Sequence, residues 1–256
     1  MAKGALSMLR RAAKGTSWSQ FLDYASPALF DVMPMRALFA QGREFISNGS
    51  DAGRFARTCD EIALLLAERG VAVQIGAPVP SDEEQRLTEL PESSRRRVGQ
   101  HVLEIYFGQV FAGDHAVLDL RADAFATGDA DVLLWRPRAF YVQWQPDFLD
   151  GLRALYAGFY KDDTAQFERG LAQLGLEDSG EVLLSHLGSG DQRKVRFETS
   201  AFHSSFHETF LSCRDKGVAL HRNFLALGIY LVCLYEVLES LGLEFDVRDA
   251  FERIQV

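Results

Sequence analysis

Apolar residues at helical spacing dominate the chain, and the clearest run lies near its middle. Within residues 98–111 the apolar positions recur so that they share one face of an amphipathic helix. The run stops at Ala112-Gly113-Asp114 and is followed by two short apolar pieces, 116–120 and 132–135. The turn sequence Thr127-Gly128-Asp129 precedes the second piece. The pattern predicts a helix, a loop and a short hairpin-like pair of strands.

The segments on both sides of this stretch are also predicted to be mainly helical. Before it, the pattern over 17–48 is that of helices broken by Pro27 and Pro34. Asp51 is placed to cap a further helix that stops at Arg69-Gly70, and one short strand is predicted over 71–75. After it, helices are predicted over 148–160, 165–174, 197–213 and 221–241, with Thr164 as a candidate cap of the second.

The predicted fold class is mainly α, and α+β at most. More than half of the chain is helical by these patterns, against about one-third in ordinary globular proteins. A loop over 76–92, with three prolines and many acidic residues, is the best candidate for a boundary. We therefore expect an N-terminal helical segment over 1–80 and a helical domain over 81–256.

Charge and composition exclude some partners. The 256 residues carry a formal net charge of −9, which argues against a general nucleic-acid binder. No run of 18 apolar residues occurs, so no transmembrane segment is expected. The weakly basic first 14 residues are compatible with a peripheral membrane contact, although a frayed terminus explains them more simply.

The three cysteines indicate a reducing environment. Cys59, Cys213 and Cys233 are odd in number and widely spaced, and they form neither a C-x-x-C pair nor a disulfide framework. Buried free thiols are the expected state, and a cytoplasmic location follows from it.

Two helical patterns carry a resemblance to a known family. The first is Leu90-Pro91-Glu92 to Arg97 with 103–107 and 109–111, and the second is Leu220-His221-Arg222-Asn223-Phe224 with 227–231. Together they resemble the C-terminal lobe of the UbiB/AarF-like atypical kinase family over about 91–251. The resemblance implies a kinase-like helical bundle, with a short β-hairpin near the former catalytic loop. It also implies a role linked to isoprenoid lipid or quinone metabolism.

The catalytic motifs of that family are degenerate in this chain. Counting from Gln109, the catalytic-loop aspartate falls on Asp119, while the Asn position falls on Ala124 and the DFG aspartate on about Trp135. Neither alanine nor tryptophan supplies the oxygen ligands that magnesium needs. The resemblance therefore implies a pseudokinase-like protein with a non-catalytic binding or regulatory role. Its partner would be an unknown protein or lipid, and no cofactor is expected. In the alternative, a divergent enzyme uses Asp119 with ATP and magnesium.

A third hypothesis is centred on two histidines at helical spacing. His203 and His207 lie four residues apart with Glu208 beside them, and on a helix both rings would share one face, as in some metal sites. The order H-x-x-x-H-E matches no metalloenzyme motif, and hydrogen-bonded histidines are the plainer interpretation. A helical metal- or lipid-binding protein is the functional alternative. For His221 and Arg222 we expect a structural role at the start of a helix, and His115 beside Asp114 is a weak candidate for an acid/base pair.

Overall fold

The computed structural model describes residues 32–76, 87–127, 132–177 and 193–255. In these ranges 67% of the residues are helical and 11% lie in strands, which confirms the mainly α fold class. The helices are α1 (Met35–Ser50), α2 (Ala52–Glu68), α3 (Glu92–Ala112), α4 (Pro146–Tyr160), α5 (Thr164–Leu174), α6 (Thr199–Asp215), α7 (Phe224–Ser240) and α8 (Val247–Gln255).

The strands are short and form three small sheets within the described residues. They are β1 (Val73–Ile75), β2 (His115–Val117), β3 (Phe125–Thr127), β4 (Leu133–Trp135), β5 (Tyr141–Gln143), β6 (Lys194–Arg196) and β7 (Glu244–Asp246). Strand β4 lies between β1, which is parallel to it, and β3, which is antiparallel. Strands β2 and β5 form one antiparallel pair, and β6 and β7 form another.

The predicted pairing of 116–120 with 132–135 is wrong. His115–Val117 pairs with Tyr141–Gln143, and the bond from Leu118 N to Phe140 O continues that ladder at 2.9 Å. All three residues of Leu133–Trp135 are buried, as expected of a central strand with a neighbour on each side. A hairpin does lie near Asp119, but its strands are β3 and β4.

The predicted boundary near residue 80 is crossed by direct contacts. Strand β1 pairs with β4 about sixty residues further along the chain. The side-chain amide of Asn48 at the end of α1 donates to the carbonyl of Tyr141 in β5 at 3.1 Å. Buried residues of α1, such as Leu38 and Phe45, belong to the same core cluster as those of α3 and α7. Both sides of the boundary therefore contribute to one core.

Helix α3 runs through the centre of that core. Nine consecutive residues, from Val102 to Val110, are buried, so the helix is covered on every side. Two glycines let neighbours approach closely: a Cβ on Gly99 would lie 2.1 Å from the ring of Phe245, and one on Gly108 would lie 2.5 Å from Leu66 Cδ2. The guanidinium of Arg153 on α4 donates to the carbonyls of Val110 and Gly113, which satisfies the open end of α3.

Helices α4 and α5 form the antiparallel pair that the sequence predicts. Asp163, rather than Thr164, caps α5: its carboxylate accepts from Gln166 N at 2.9 Å, and Thr164 is the first helical residue. The helix ends at Gly175, whose φ of 72° is the left-handed conformation that glycine adopts without strain. Gly158 and Gly170 face the partner backbone, since a Cβ would lie 2.2 Å from Phe167 N or 2.4 Å from Leu155 N.

The three cysteines do not cross-link the chain. Cys213 and Cys233 are buried and Cys59 is partly buried, and none of the three is part of a disulfide. Burial raises the pKa of the Cys233 thiol well above its usual value, with the nearby Asp119 carboxylate adding to the effect. Among the described residues, no helix combines the length and the apolar character needed to cross a membrane.

Candidate functional site

Asp119 is a fully buried carboxylate held by an arginine two residues away. Its Oδ1 accepts from Arg121 Nε at 2.8 Å, and its Oδ2 accepts from Arg121 Nη2 at 3.0 Å. The backbone N–H of Arg138 also donates to Oδ2 at 3.0 Å. Burial opposes the charge on Arg121, but the hydrogen bond and the charge of Asp119 outweigh it and raise the pKa of the guanidinium. The result is a closed, bidentate ion pair.

The positions around Asp119 are filled with core side chains. Trp135, at the place of the DFG aspartate in the family comparison, is fully buried and stacks on Phe125 with ring centroids 5.9 Å apart. Its indole N–H donates to the backbone carbonyl of Asp119 at 2.8 Å. Ala124 is also buried. A carboxylate with both oxygens engaged in this way cannot meet a substrate proton or a metal ion without first losing its arginine.

The histidines of the metal hypothesis lie on α6. His203 is partly buried, and burial lowers its pKa, whereas His207 and Glu208 are exposed. No set of three His, Cys, Asp or Glu side chains within the described ranges is placed to hold a metal ion. The structure therefore places His203, His207 and Glu208 on one helix, and no element among the described residues adds a further ligand to them.

His221 and Arg222 fasten the start of α7 to other elements. The ring of His221 stacks on Phe148 of α4 at 5.2 Å, and its Nδ1 accepts from Asn223 N at 3.2 Å. Arg222 Nη2 lies 3.2 Å from Glu44 Oε2 on α1. Burial lowers the pKa of His221.

His115 follows α3, and its neighbour Asp114 lines an open depression. His115 Nδ1 is 2.5 Å from Asp114 Oδ1. Asp114 lines a shallow depression of about 470 Å³ between α2 and α3, together with Glu61 and the exposed Leu64. The described lining contains no serine, threonine, cysteine or lysine, so the pair has the elements of an acid/base dyad without a hydroxyl, thiol or amine for it to activate.

The best-formed cavity is an apolar crevice in the helical core, with a volume of about 60 Å³. Its described lining comes from α3 to α8 and the flanking loops, and no residue of it is charged. These residues are Leu103, Tyr106, Phe107, Leu152, Leu155, Tyr156, Tyr160, Leu174, Leu176, Phe197, Phe202, Phe206, Thr209, Phe210, Phe224, Leu227, Leu231, Leu234, Tyr235 and Val247. A volume of about 60 Å³ is room for about two water-sized groups, so the crevice is a small slot relative to the number of side chains that line it.

One wall of the crevice is an aromatic stripe on α6. Phe202, Phe206 and Phe210 recur every four residues, with ring centroids 4.2 Å apart for the first pair and 5.8 Å for the second. The sequence contains this spacing, and it predicts an apolar helix face. It does not predict that the face borders a void, because a void depends on how side chains from several elements meet.

The crevice contains one pair of buried hydroxyls. The phenol oxygens of Tyr106 and Tyr156 lie 2.6 Å apart, and both residues line the crevice. Burial raises the pKa of Tyr156 to about 12 and raises that of Tyr106 well above its usual value. Both phenols are therefore neutral at physiological pH. Nearby, Gln109 Nε2 donates to the hydroxyl of Tyr230 at 2.6 Å.

In comparisons with known proteins, no family model and no curated protein matches this chain. The resemblance of 91–251 to the UbiB/AarF-like family stays a prediction.

Proposed function

We propose that this chain is a non-catalytic, kinase-like helical domain of the UbiB/AarF type that binds an apolar chain in the core crevice. The observation that carries the proposal is the crevice, an unfilled slot of about 60 Å³ with no charged residue in its described lining. Small-molecule sites are usually apolar with a few convergent polar groups, and this crevice has such a lining at a much smaller volume.

The energetics of an empty slot favour an occupant. At roughly 24 cal/mol per Å³ of cavity, a void of about 60 Å³ costs the fold about 1–2 kcal/mol. Water would not recover that cost, because it needs two to four polar partners and this lining offers few. A hydrocarbon chain recovers it by dispersion contacts and by leaving water, at about 0.8 kcal/mol for each buried methylene.

The shape of the slot selects the kind of occupant. At about 60 Å³ the crevice encloses about two water-sized groups, so it accepts the end of a flexible chain one methylene wide and excludes fused ring systems. An isoprenoid tail has that width, and it agrees with the lipid metabolism that the family resemblance implies. The closed Asp119–Arg121 pair supports a binding role over phosphoryl transfer, because it leaves no free carboxylate at the expected catalytic position.

Equilibrium dialysis against tritiated farnesol tests the proposal. We expect saturable binding with one site per chain, and we expect Leu227→Trp, which puts a larger side chain into the slot, to abolish it. Gly228→Ala is the matched control on the same helix, because its Cβ meets nothing within 4 Å. Thermal unfolding of each variant shows whether the fold is retained.

Two outcomes would contradict the proposal. The first is the absence of saturable farnesol binding by the wild-type protein. The second is a magnesium-dependent ATPase activity that disappears in a folded Asp119→Asn variant, which would favour the divergent-enzyme alternative. Saturable metal binding lost in His203→Ala would instead support the helical metal-binding alternative.

A further inference from the structure

The hydroxyl pair of Tyr106 and Tyr156 has one proton without a hydrogen-bond acceptor among the described residues. Two phenols 2.6 Å apart share one hydrogen bond, in which one hydroxyl donates and the other accepts. The accepting hydroxyl still has its own proton. Neither Tyr106 nor Tyr156 makes a second hydrogen bond within the described residues, so that proton has no acceptor there.

An unused donor at this depth is costly. Tyr106 is 1% exposed and Tyr156 is 4% exposed, so water does not reach either hydroxyl freely. A buried donor without an acceptor keeps the desolvation penalty that a hydrogen bond would otherwise offset. Two phenylalanines would fill the same space without that penalty, so the pair is useful only if something in the crevice accepts the proton.

The surroundings fix the charge of the acceptor. The described lining contains only leucine, valine, threonine, tyrosine and phenylalanine. No cation is present in it to balance a carboxylate or a phosphate, and burying an unpaired charge is far more costly than burying a neutral oxygen. The raised pKa values of both phenols keep the pair itself neutral. The acceptor is therefore an uncharged oxygen.

We propose that the Tyr106–Tyr156 pair donates one hydrogen bond to a neutral oxygen on the bound chain, so that the crevice takes a ketone, ester or alcohol in preference to a plain hydrocarbon or a fatty acid. This inference rests on the proposed function, because it concerns the same crevice. It adds the chemical class of the ligand and the residues that recognise it.

A double substitution is the appropriate test. Either hydroxyl left alone would still have a free proton, so a single Tyr→Phe change would not remove the donor. Tyr106→Phe combined with Tyr156→Phe removes both hydroxyls and keeps the ring packing, and replacing both members of a bonded pair is close to neutral for stability. Tyr141→Phe is the matched control, since Tyr141 is a buried tyrosine of β5 that is not part of the described crevice lining.

Equilibrium dialysis with labelled octane, 2-octanone and octanoate gives the readout. We expect the ratio of 2-octanone to octane affinity to fall about 3- to 10-fold in the double variant, which is the effect of one hydrogen bond. Octane affinity should stay constant, the Tyr141→Phe ratio should equal that of the wild type, and octanoate at pH 8 should bind more weakly than either neutral ligand.

The failures of the two proposals are distinguishable. If octane and farnesol bind but the ratio is the same in the wild type and the double variant, the hydroxyl pair does not recognise the ligand and the binding role survives. Preferred binding of octanoate would also overturn the inference, because it would require a positive charge at the crevice. If neither octane nor farnesol binds, the proposed function itself fails.

Discussion

At the scale of single residues, the Asp119–Arg121 pair explains why the expected catalytic position is closed. The aspartate is fully buried and the arginine is 7% exposed, so each charge depends on the other. From the sequence, the family resemblance identifies Asp119 as the candidate catalytic residue. It does not predict the partner, because an arginine two residues away in a loop has no periodicity that would place its side chain.

Removing the arginine should destabilise the fold strongly. We expect Arg121→Met to lower the free energy of unfolding by about 3–5 kcal/mol, because it leaves Asp119 buried without a counter-charge. Urea denaturation measures this loss. Arg138→Ala is the control: its guanidinium is exposed and reaches the exposed Asp123, so its loss should be below about 1 kcal/mol. Equal losses in the two variants would show that Asp119 is not held as the structure indicates.

Histidine burial gives the stability a pH dependence. The pKa of His221 is lowered by burial, with Arg222 adding to the shift and Asp147 opposing it. A group whose folded pKa lies below its unfolded value contributes stability above the unfolded pKa of about 6.5 and loses it as the pH falls through the folded pKa. Protonation of Nδ1 would also break the bond from Asn223 N. We therefore expect stability to fall between pH 7 and pH 5.

Comparing variants isolates the contribution of His221. His221→Gln should flatten the decline in unfolding free energy between pH 7 and pH 5, and His207→Gln, at an exposed site on α6, should leave it as in the wild type. Burial raises the pKa of Glu44, which acts in the opposite sense because its ionisation costs stability as the pH rises. A decline that is identical in both variants would exclude His221 as its source.

At the scale of elements, the approach of α4 and α5 depends on two glycines. A Cβ at Gly170 would lie 2.4 Å from the backbone nitrogen of Leu155, too close for any heavy atom. The helices would have to separate, and α4 supplies Leu152, Leu155 and Tyr156 to the crevice. The helix–helix contact and the candidate site are therefore mechanically linked.

Gly170→Ala should destabilise the protein although alanine favours helices. We expect a net loss of about 1–3 kcal/mol from overpacking. At the control position, Gly228 in α7, an added Cβ would meet no atom within 4 Å. Gly228→Ala should therefore raise the free energy of unfolding by about 0.5–1 kcal/mol through helix propensity alone. Thermal unfolding distinguishes the two. If Gly170→Ala stabilised the protein, α4 and α5 would be packed less closely than these distances indicate.

The helices could be predicted from sequence because they are long enough to repeat an apolar period, and the strands are not. A helix such as α4 repeats its apolar period over fifteen residues, and its start at Pro146 has a chemical signal. Each strand has three residues, which is too short for an alternating pattern to fix a partner. Strand β4 could therefore be located from its apolar run but not paired correctly, since β1 lies about sixty residues away and the nearby β3 has only three residues.

At the scale of the whole molecule, the crevice could not have been predicted from sequence. The leucines and aromatic residues that line it have the same pattern as a filled core, and only the meeting of six helices leaves a slot between them. The sequence does contain Tyr106, Tyr156 and the phenylalanine stripe of α6, but nothing in their spacing indicates that two hydroxyls meet.

The long-range contacts of α1 determine when this helix can pack during synthesis of the chain. Asn48 cannot form its hydrogen bond until Tyr141, 93 residues later, has been made. Gln41 likewise needs Asn223, 182 residues later. At ordinary rates of synthesis, the second delay lasts roughly 10–40 s. During that time the face of α1 that will meet α7 has left the ribosome without its partner. Helix α1 therefore cannot complete its packing until almost all of the described fold has been made.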